Sequence, residues 1–168
     1  NQVYPLTLKH DLEMQVPSLK KKYLKYSSYN DQRVDEIFSP NELNAALLLE
    51  ITELRSGVLV NDGQGGFSWQ ALPVEAQFAP IYAFQVIQTG EGAVVLGGGN
   101  QYRVKPEAGR YDAGYGFALQ VKEGTIKMIP GVESGFVSHG EVRRILQPAD
   151  SLILVFKNND SPDAFRLR

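Results

Sequence analysis

The sequence contains no cysteine, which excludes a disulfide framework, a thiolate nucleophile and any cysteine-based metal centre. Histidine is nearly as scarce. His10 and His139 are far apart, in no metal-ligand spacing, and read as solvated or hydrogen-bonded side chains. Long apolar runs are missing too: "AALLLE" stops at Glu50, far short of the roughly 20 residues of a membrane-spanning helix. Charge of neither sign dominates. Seventeen Lys and Arg against 19 Asp and Glu leave a net charge of −2, which argues against wholesale nucleic-acid binding. The chain starts at Asn1 without an initiator Met or a secretory leader, as expected of a processed or excised piece. The lack of cysteine fits an exported bacterial protein as readily as a cytosolic one.

What is present is ordinary for a soluble globular protein. The 168 residues are 43% hydrophobic and 21% charged, enough for one domain with its own core. The stretch "SGVLVNDGQGGFSWQALP", 56–73, has the look of a glycine-rich ligand loop. A phosphate loop requires a lysine and a Ser/Thr opening a helix, but Phe67, Ser68 and Trp69 follow here. A calcium loop requires alternating oxygen ligands, and Asp62 is the one carboxylate. Asn-Asp-Gly between β-prone runs predicts a hairpin, because these residues tolerate positive φ.

The chain divides near residue 47, into a helical segment 1–46 and a β segment 47–168. Leu12, Val16, Leu19, Tyr23 and Tyr26 fall on one helical stripe, and Pro17 predicts that the main helix begins there. Lys20, Lys21, Lys22 and Lys25 lie mostly off that stripe and read as a solvated face rather than an anion site. Ser39-Pro40-Asn41-Glu42 is a capping box with Pro at the first helical position, and Leu43, Ala46 and Leu47 follow as a short apolar face.

Beyond residue 47 the period becomes that of strands. Runs at 58–60, 67–72, 81–87, 93–96, 115–121, 125–129, 141–146, 151–156 and 164–168 are separated mostly by Gly, Pro, Asn or Asp turns. Nine strands without intervening helices imply an antiparallel sandwich, barrel or propeller. Two strand–turn–strand pairs, 81–96 and 115–129, make one four-stranded unit; 141–168 begins another, and 48–73 supplies the outer part of a preceding one. This grouping favours β-propeller blades.

The runs "NDGQGGFSWQALPVEAQFAPIYAFQV", "GRYDAGYGFALQ" and "LILVFKNND" resemble the C-terminal part of bacterial FG-GAP/VCBS-repeat proteins, β-propellers related to the integrin-α type and the ASPIC/UnbV-associated group. The helical lead "DLEMQVPSLKKKYLKYSSYNDQRVDEIF" resembles an insertion between blades of that group. The resemblance implies a mainly β fold of about two and a half antiparallel blades with an α-helical N-terminal insertion, the end of a longer chain. It also implies an extracellular, periplasmic or outer-membrane-associated location. One departure matters. Blades of this family carry an Asp-rich calcium loop, but the equivalent turns here read "QTGEGA", 88–93, and "QPADSL", 147–152, with a single carboxylate each. Calcium takes 6–8 oxygen ligands, so these turns are expected to close without metal, and no cofactor is expected, calcium being left to blades of the parent protein outside this chain.

The most unusual segment is "GGGNQYRVKPEAGRYDAGYG", 97–116, a long inter-strand loop carrying Asn100, Tyr102, Arg103, Arg110, Tyr111, Asp112 and Tyr115. Tyr and Arg are common binding anchors, and loops carry function more often than cores do. In one reading these residues contact a protein or a glycan. In the other, Arg110 and Asp112 pin the loop while the tyrosines pack on a neighbouring blade. The functional expectation is a non-catalytic binding or scaffolding module. Its alternative is part of a glycan-active enzyme using loop carboxylates such as Glu107 and Asp112. An incomplete ring leaves a blade face uncovered, so self-association of the isolated chain is expected.

Overall fold

The structure, a computed structural model, describes residues 2–167. It divides into two compact units, one running to Thr52 and the other starting at Glu53. In the first, four short helices, α1 (Lys9–Gln15), α2 (Leu19–Lys22), α3 (Val34–Ile37) and α4 (Pro40–Ala45), alternate with turns. Leu19, Tyr23 and Ile37 form the buried centre, with Leu12, Val16, Tyr29 and Phe38 packed against it. Tyr23 and Tyr29 meet edge to face at 5.5 Å.

Two helical expectations need correcting. Pro17 does not open a long helix: α1 stops before it, and α2 lasts a single turn before the chain leaves helical geometry at Tyr23. The stripe therefore fails at its last member, Tyr26, which is exposed in a separate 3₁₀ turn. Nor do Ala46 and Leu47 extend an apolar face, because α4 ends at Ala45 and both are exposed. The start of α4 is as expected: Ser39 N donates to Glu42 Oε2 at 2.7 Å and Glu42 N to Ser39 Oγ at 3.4 Å. Lys22, read as part of a solvated face, instead donates to the carbonyls of Glu36 and Ile37 at 2.6 and 2.8 Å, tying α2 to the end of α3.

The second unit is mainly antiparallel β. Its nine strands among the described residues are β1 (Gly57–Asn61), β2 (Phe67–Ala71), β3 (Ile81–Thr89), β4 (Gly92–Gly99), β5 (Phe117–Lys122), β6 (Thr125–Ile129), β7 (Val142–Ala149), β8 (Leu152–Lys157) and β9 (Asp163–Arg166). They form three sheets in sequence order: β1-β2, β3-β4-β5-β6 and β7-β8-β9. The strand grouping expected from the turns is thus present, with each pairing antiparallel.

The larger core joins the two larger sheets: Ala83, Leu96 and Ala118 meet Val142, Ile145, Ile153 and Val155, with Phe136 among them. The opposite face of the four-stranded sheet carries a second cluster, Phe117 and Leu119 with Ala76 from the 3₁₀ turn Val74–Gln77. A register shift between Ile81 and Ala83 sends these near neighbours to different clusters. Strand β4 runs through Gly97–Gly99, which the sequence had assigned to the loop. A Cβ at Gly97 would strike the Phe117 ring and one at Gly99 the Pro80 carbonyl, so glycine is what lets ring and backbone approach.

The 56–73 stretch is a hairpin. Asp62 Oδ1 accepts from the amides of Gln64 and Gly66 at 2.7 and 2.9 Å, and Asn61 Oδ1 from Gly63 at 2.8 Å. Both side chains are spent on closing the turn. The turns at 88–93 and 147–152 also close on the protein's own groups: Thr89 Oγ1 donates to the Gly92 carbonyl at 3.0 Å and Gln147 Nε2 to that of Asp150 at 3.3 Å. Among the described residues no three His, Asp or Glu side chains gather as metal ligands. No described helix is long and apolar enough to cross a membrane.

Candidate functional site

The loop between β4 and β5 is pinned at its root by Asn100. This residue is 1% exposed and adopts φ 79°, a left-handed conformation that asparagine tolerates better than most residues. Its Nδ2 donates to the carbonyls of Gly114 and Gly140 at 2.8 and 3.0 Å, and its Oδ1 accepts from Gly114 N at 2.9 Å. One side chain thereby closes the loop on itself and fastens it to the approach to β7. A backbone bridge between Gln101 and Tyr111 adds two hydrogen bonds of 2.8 and 2.9 Å.

A second anchor comes from a residue that sequence reasoning placed in a strand. Glu141 is 3% exposed. Its Oε1 accepts from Tyr102 N and Arg143 Nη2, both at 2.8 Å, and its Oε2 from Asn158 Nδ2 at 3.0 Å. The Tyr102 amide is the main cause holding its carboxyl below the ordinary range; burial opposes it, and Asn158 with the charges of Arg143 and Arg103 reinforce it. Arg143 extends the network, donating from Nη1 to the Asn100 carbonyl at 3.0 Å while its guanidinium lies 4.2 Å from the Tyr82 ring centre.

Above this foundation lies an open cleft of about 310 Å³, lined by Tyr102, Arg103, Arg110, Gly140, Glu141 and the turn Asn158–Asp160 between β8 and β9. The Arg110 guanidinium sits 5.2 Å from the Tyr102 ring centre. Lys157, at the start of that turn, is nearly buried and pairs with Asp163 at 2.9 Å and Asp160 at 3.4 Å. Asp163 also accepts from Ser138 Oγ at 2.7 Å. Burial works to raise the Asp163 pKa, but the hydrogen bonds from Lys157 and Ser138 and the Lys157 charge outweigh it and leave the carboxyl below its ordinary value. The Lys157 ammonium is correspondingly raised, chiefly by its hydrogen bond to Asp163.

Of the seven loop residues singled out in the sequence, Tyr102, Arg103 and Arg110 line the cleft and Asn100 lies buried beneath it. Tyr111 and Tyr115 are about half exposed, and Asp112 is exposed, all outside the cleft lining. Tyr115 meets the His139 ring edge to face at 4.6 Å. The expectation that Arg110 and Asp112 pin the loop is replaced: Asn100, Glu141 and Arg143 do so, because buried polar groups with several partners hold a backbone where exposed ones do not. The residues missed were Glu141 and Asn158–Asp160, which lie far along the chain. Their signal was "KNND", a hydrogen-bonding turn like the others in sequence.

Chemically the cleft offers two guanidinium groups, amide groups and an aromatic ring on a fixed base. Its buried carboxylate has both oxygens engaged. Glu107 and Asp112 are exposed and outside the lining. Comparisons with protein-family models, curated proteins and solved structures find no match to this chain.

Proposed function

We propose that this chain is a non-catalytic binding or scaffolding module of an FG-GAP/VCBS-type β-propeller protein of the cell envelope or secreted space, contacting a protein or glycan through its inter-strand loops. The observation that carries the reading is the cleft: a loop rich in Tyr and Arg, held by buried Asn100 and Glu141, with its Arg103 and Arg110 side chains left for a ligand. A rigid base under adaptable polar groups is the arrangement binding requires. The blade assignment draws support from the repeated antiparallel meanders and from the packing of β7, first strand of its sheet, against β3, first strand of the sheet before it. The engaged oxygens of Glu141 and the exposure of Glu107 and Asp112 favour binding over hydrolysis, where a carboxylic acid needs a protected, raised pKa.

A glycan array and an overlay on envelope proteins test this reading. Binding without turnover, weakened by Tyr102→Ala, is the expected result. Hydrolysis abolished by Asp112→Asn would instead establish the enzyme. The incomplete ring gives a second test. Phe84 and Val86 on β3, Leu59, Phe67 and Trp69 on the hairpin, and Leu47, Leu48, Leu49, Ile51 and Leu54 are exposed, so the isolated chain should self-associate at micromolar concentration. A clean 18.6 kDa monomer in light scattering would remove the blade assignment.

A further inference from the structure

We infer that the Tyr102–Arg103–Arg110 cleft takes a carboxylate-bearing sugar, a uronate unit of an acidic glycan. The inference rests on the binding reading above and adds the ligand's charge and class.

Charge comes first. Glu141 is matched by Arg143, while Lys157 is shared between Asp163 at 2.9 Å and Asp160 at 3.4 Å. Arg103 and Arg110 line the same cleft, and neither makes an ion pair or a side-chain hydrogen bond among the described residues. Arg103, Arg110, Arg143 and Lys157 face Glu141, Asp160 and Asp163, so one positive charge is left over beside the opening; this favours an anion, and a guanidinium's planar donors match a carboxylate in pairs. The volume and lining then choose between an acidic sugar and an acidic peptide. At about 310 Å³ the open cleft stands at the small end of ligand sites and has room for a single sugar ring. Asn158 and Asn159 supply amides, and Asp160 a carboxylate, to the lining, the donors and acceptors that sugar hydroxyls use. No large aliphatic side chain lines it, so an apolar peptide anchor would find no pocket. Tyr102, under the Arg110 guanidinium, contributes its ring at the wall.

The test is calorimetric titration of the full chain with trigalacturonate, maltotriose and tetraglutamate at two salt concentrations. Saturable binding of trigalacturonate, weakened by salt and exceeding maltotriose and tetraglutamate, is the expected result. Arg103→Ala and Arg110→Ala should each weaken it at least about tenfold, as loss of a charge-assisted hydrogen bond does. Both side chains are exposed, so the melting temperature should stay at the wild-type value and show that the fold survives. Asp112→Ala, outside the lining, should leave binding unchanged. Equal binding of maltotriose would overturn the charge assignment while leaving glycan binding in place. Preference for tetraglutamate would replace the sugar with an acidic peptide. Absence of saturable trigalacturonate binding would overturn the inference, and the array and overlay would then decide separately whether the loop binds anything.

Discussion

The two units reach order by different routes. The helical unit buries three hydrophobic residues, Leu19, Tyr23 and Ile37, beneath helices of four to seven residues. Helices shorter than about 12 residues are marginal alone, so the turns here depend on that small centre, with the Ser39 capping box supporting α4. The β unit joins sheets through a core of eight buried residues and adds a second cluster of three. It also buries polar anchors, Asn100, Ser138 and Glu141, each with hydrogen-bond partners. The contrast teaches that the candidate site stands on the better-buried unit, and that its polar base is part of the fold rather than an addition to it.

The sharpest way to break the contrast is in the two cores. Ile153, 0% exposed, should cost about 4 kcal/mol as Ile153→Ala, and a denaturant titration should show the β signal unfolding earlier. Leu19→Ala should cost about 3 kcal/mol, and by amide exchange the helical unit alone should lose protection while β7 and β8 keep theirs.

The polar base gives the next effect. Glu141→Ala leaves Arg143 without its buried carboxylate partner and should cost about 3 kcal/mol in the same titration. The linked pH dependence has a defined sign. Glu141 and Asp163 are held below their ordinary values, so what they contribute is complete above the ordinary carboxylate range and lost as pH falls through their folded values. Lys157 is raised, so its contribution is complete below the ordinary lysine value and lost as pH rises through its higher folded one. Melting temperature against pH should therefore fall at both ends, and the acid limb should flatten in Glu141→Gln.

Smaller still is the difference within the loop. Asn100→Ala should cost about 1–3 kcal/mol by leaving the half-buried Gly114 and Gly140 groups without their partner, whereas exposed Asp112→Ala should stay within about 0.5 kcal/mol. Equal midpoints for the two variants would refute Asn100 as the pin. At the end of the scale, Ser39→Ala removes the cap of α4 and should cost about 1 kcal/mol, visible as faster exchange of the amides of its first turn alone.

Legibility followed the range of the interactions. Strands were readable where alternation and turn residues act within a few positions, which is why β3 to β6 appear as one meander and Asp62 closes its hairpin. The Ser39 box was readable for the same reason. The stripe from Leu12 to Tyr26 misled, because spacing along the chain continued to match a helix that Pro17 and the turn at Tyr23 interrupt.

By itself, then, the sequence determined where the chain can turn, which runs are apolar on alternate sides, and which loop collects Tyr and Arg, since each is set by local backbone preference and side-chain type. Only the tertiary structure decided that Asn100 is buried and pins the loop, that Glu141 supports Tyr102, and that "KNND" forms the far wall of the cleft. Those outcomes depend on groups about 40 to 60 residues apart sharing one desolvated space. No spacing within a loop encodes that, because the cost of burying an unpaired polar group is met only when its distant partners arrive.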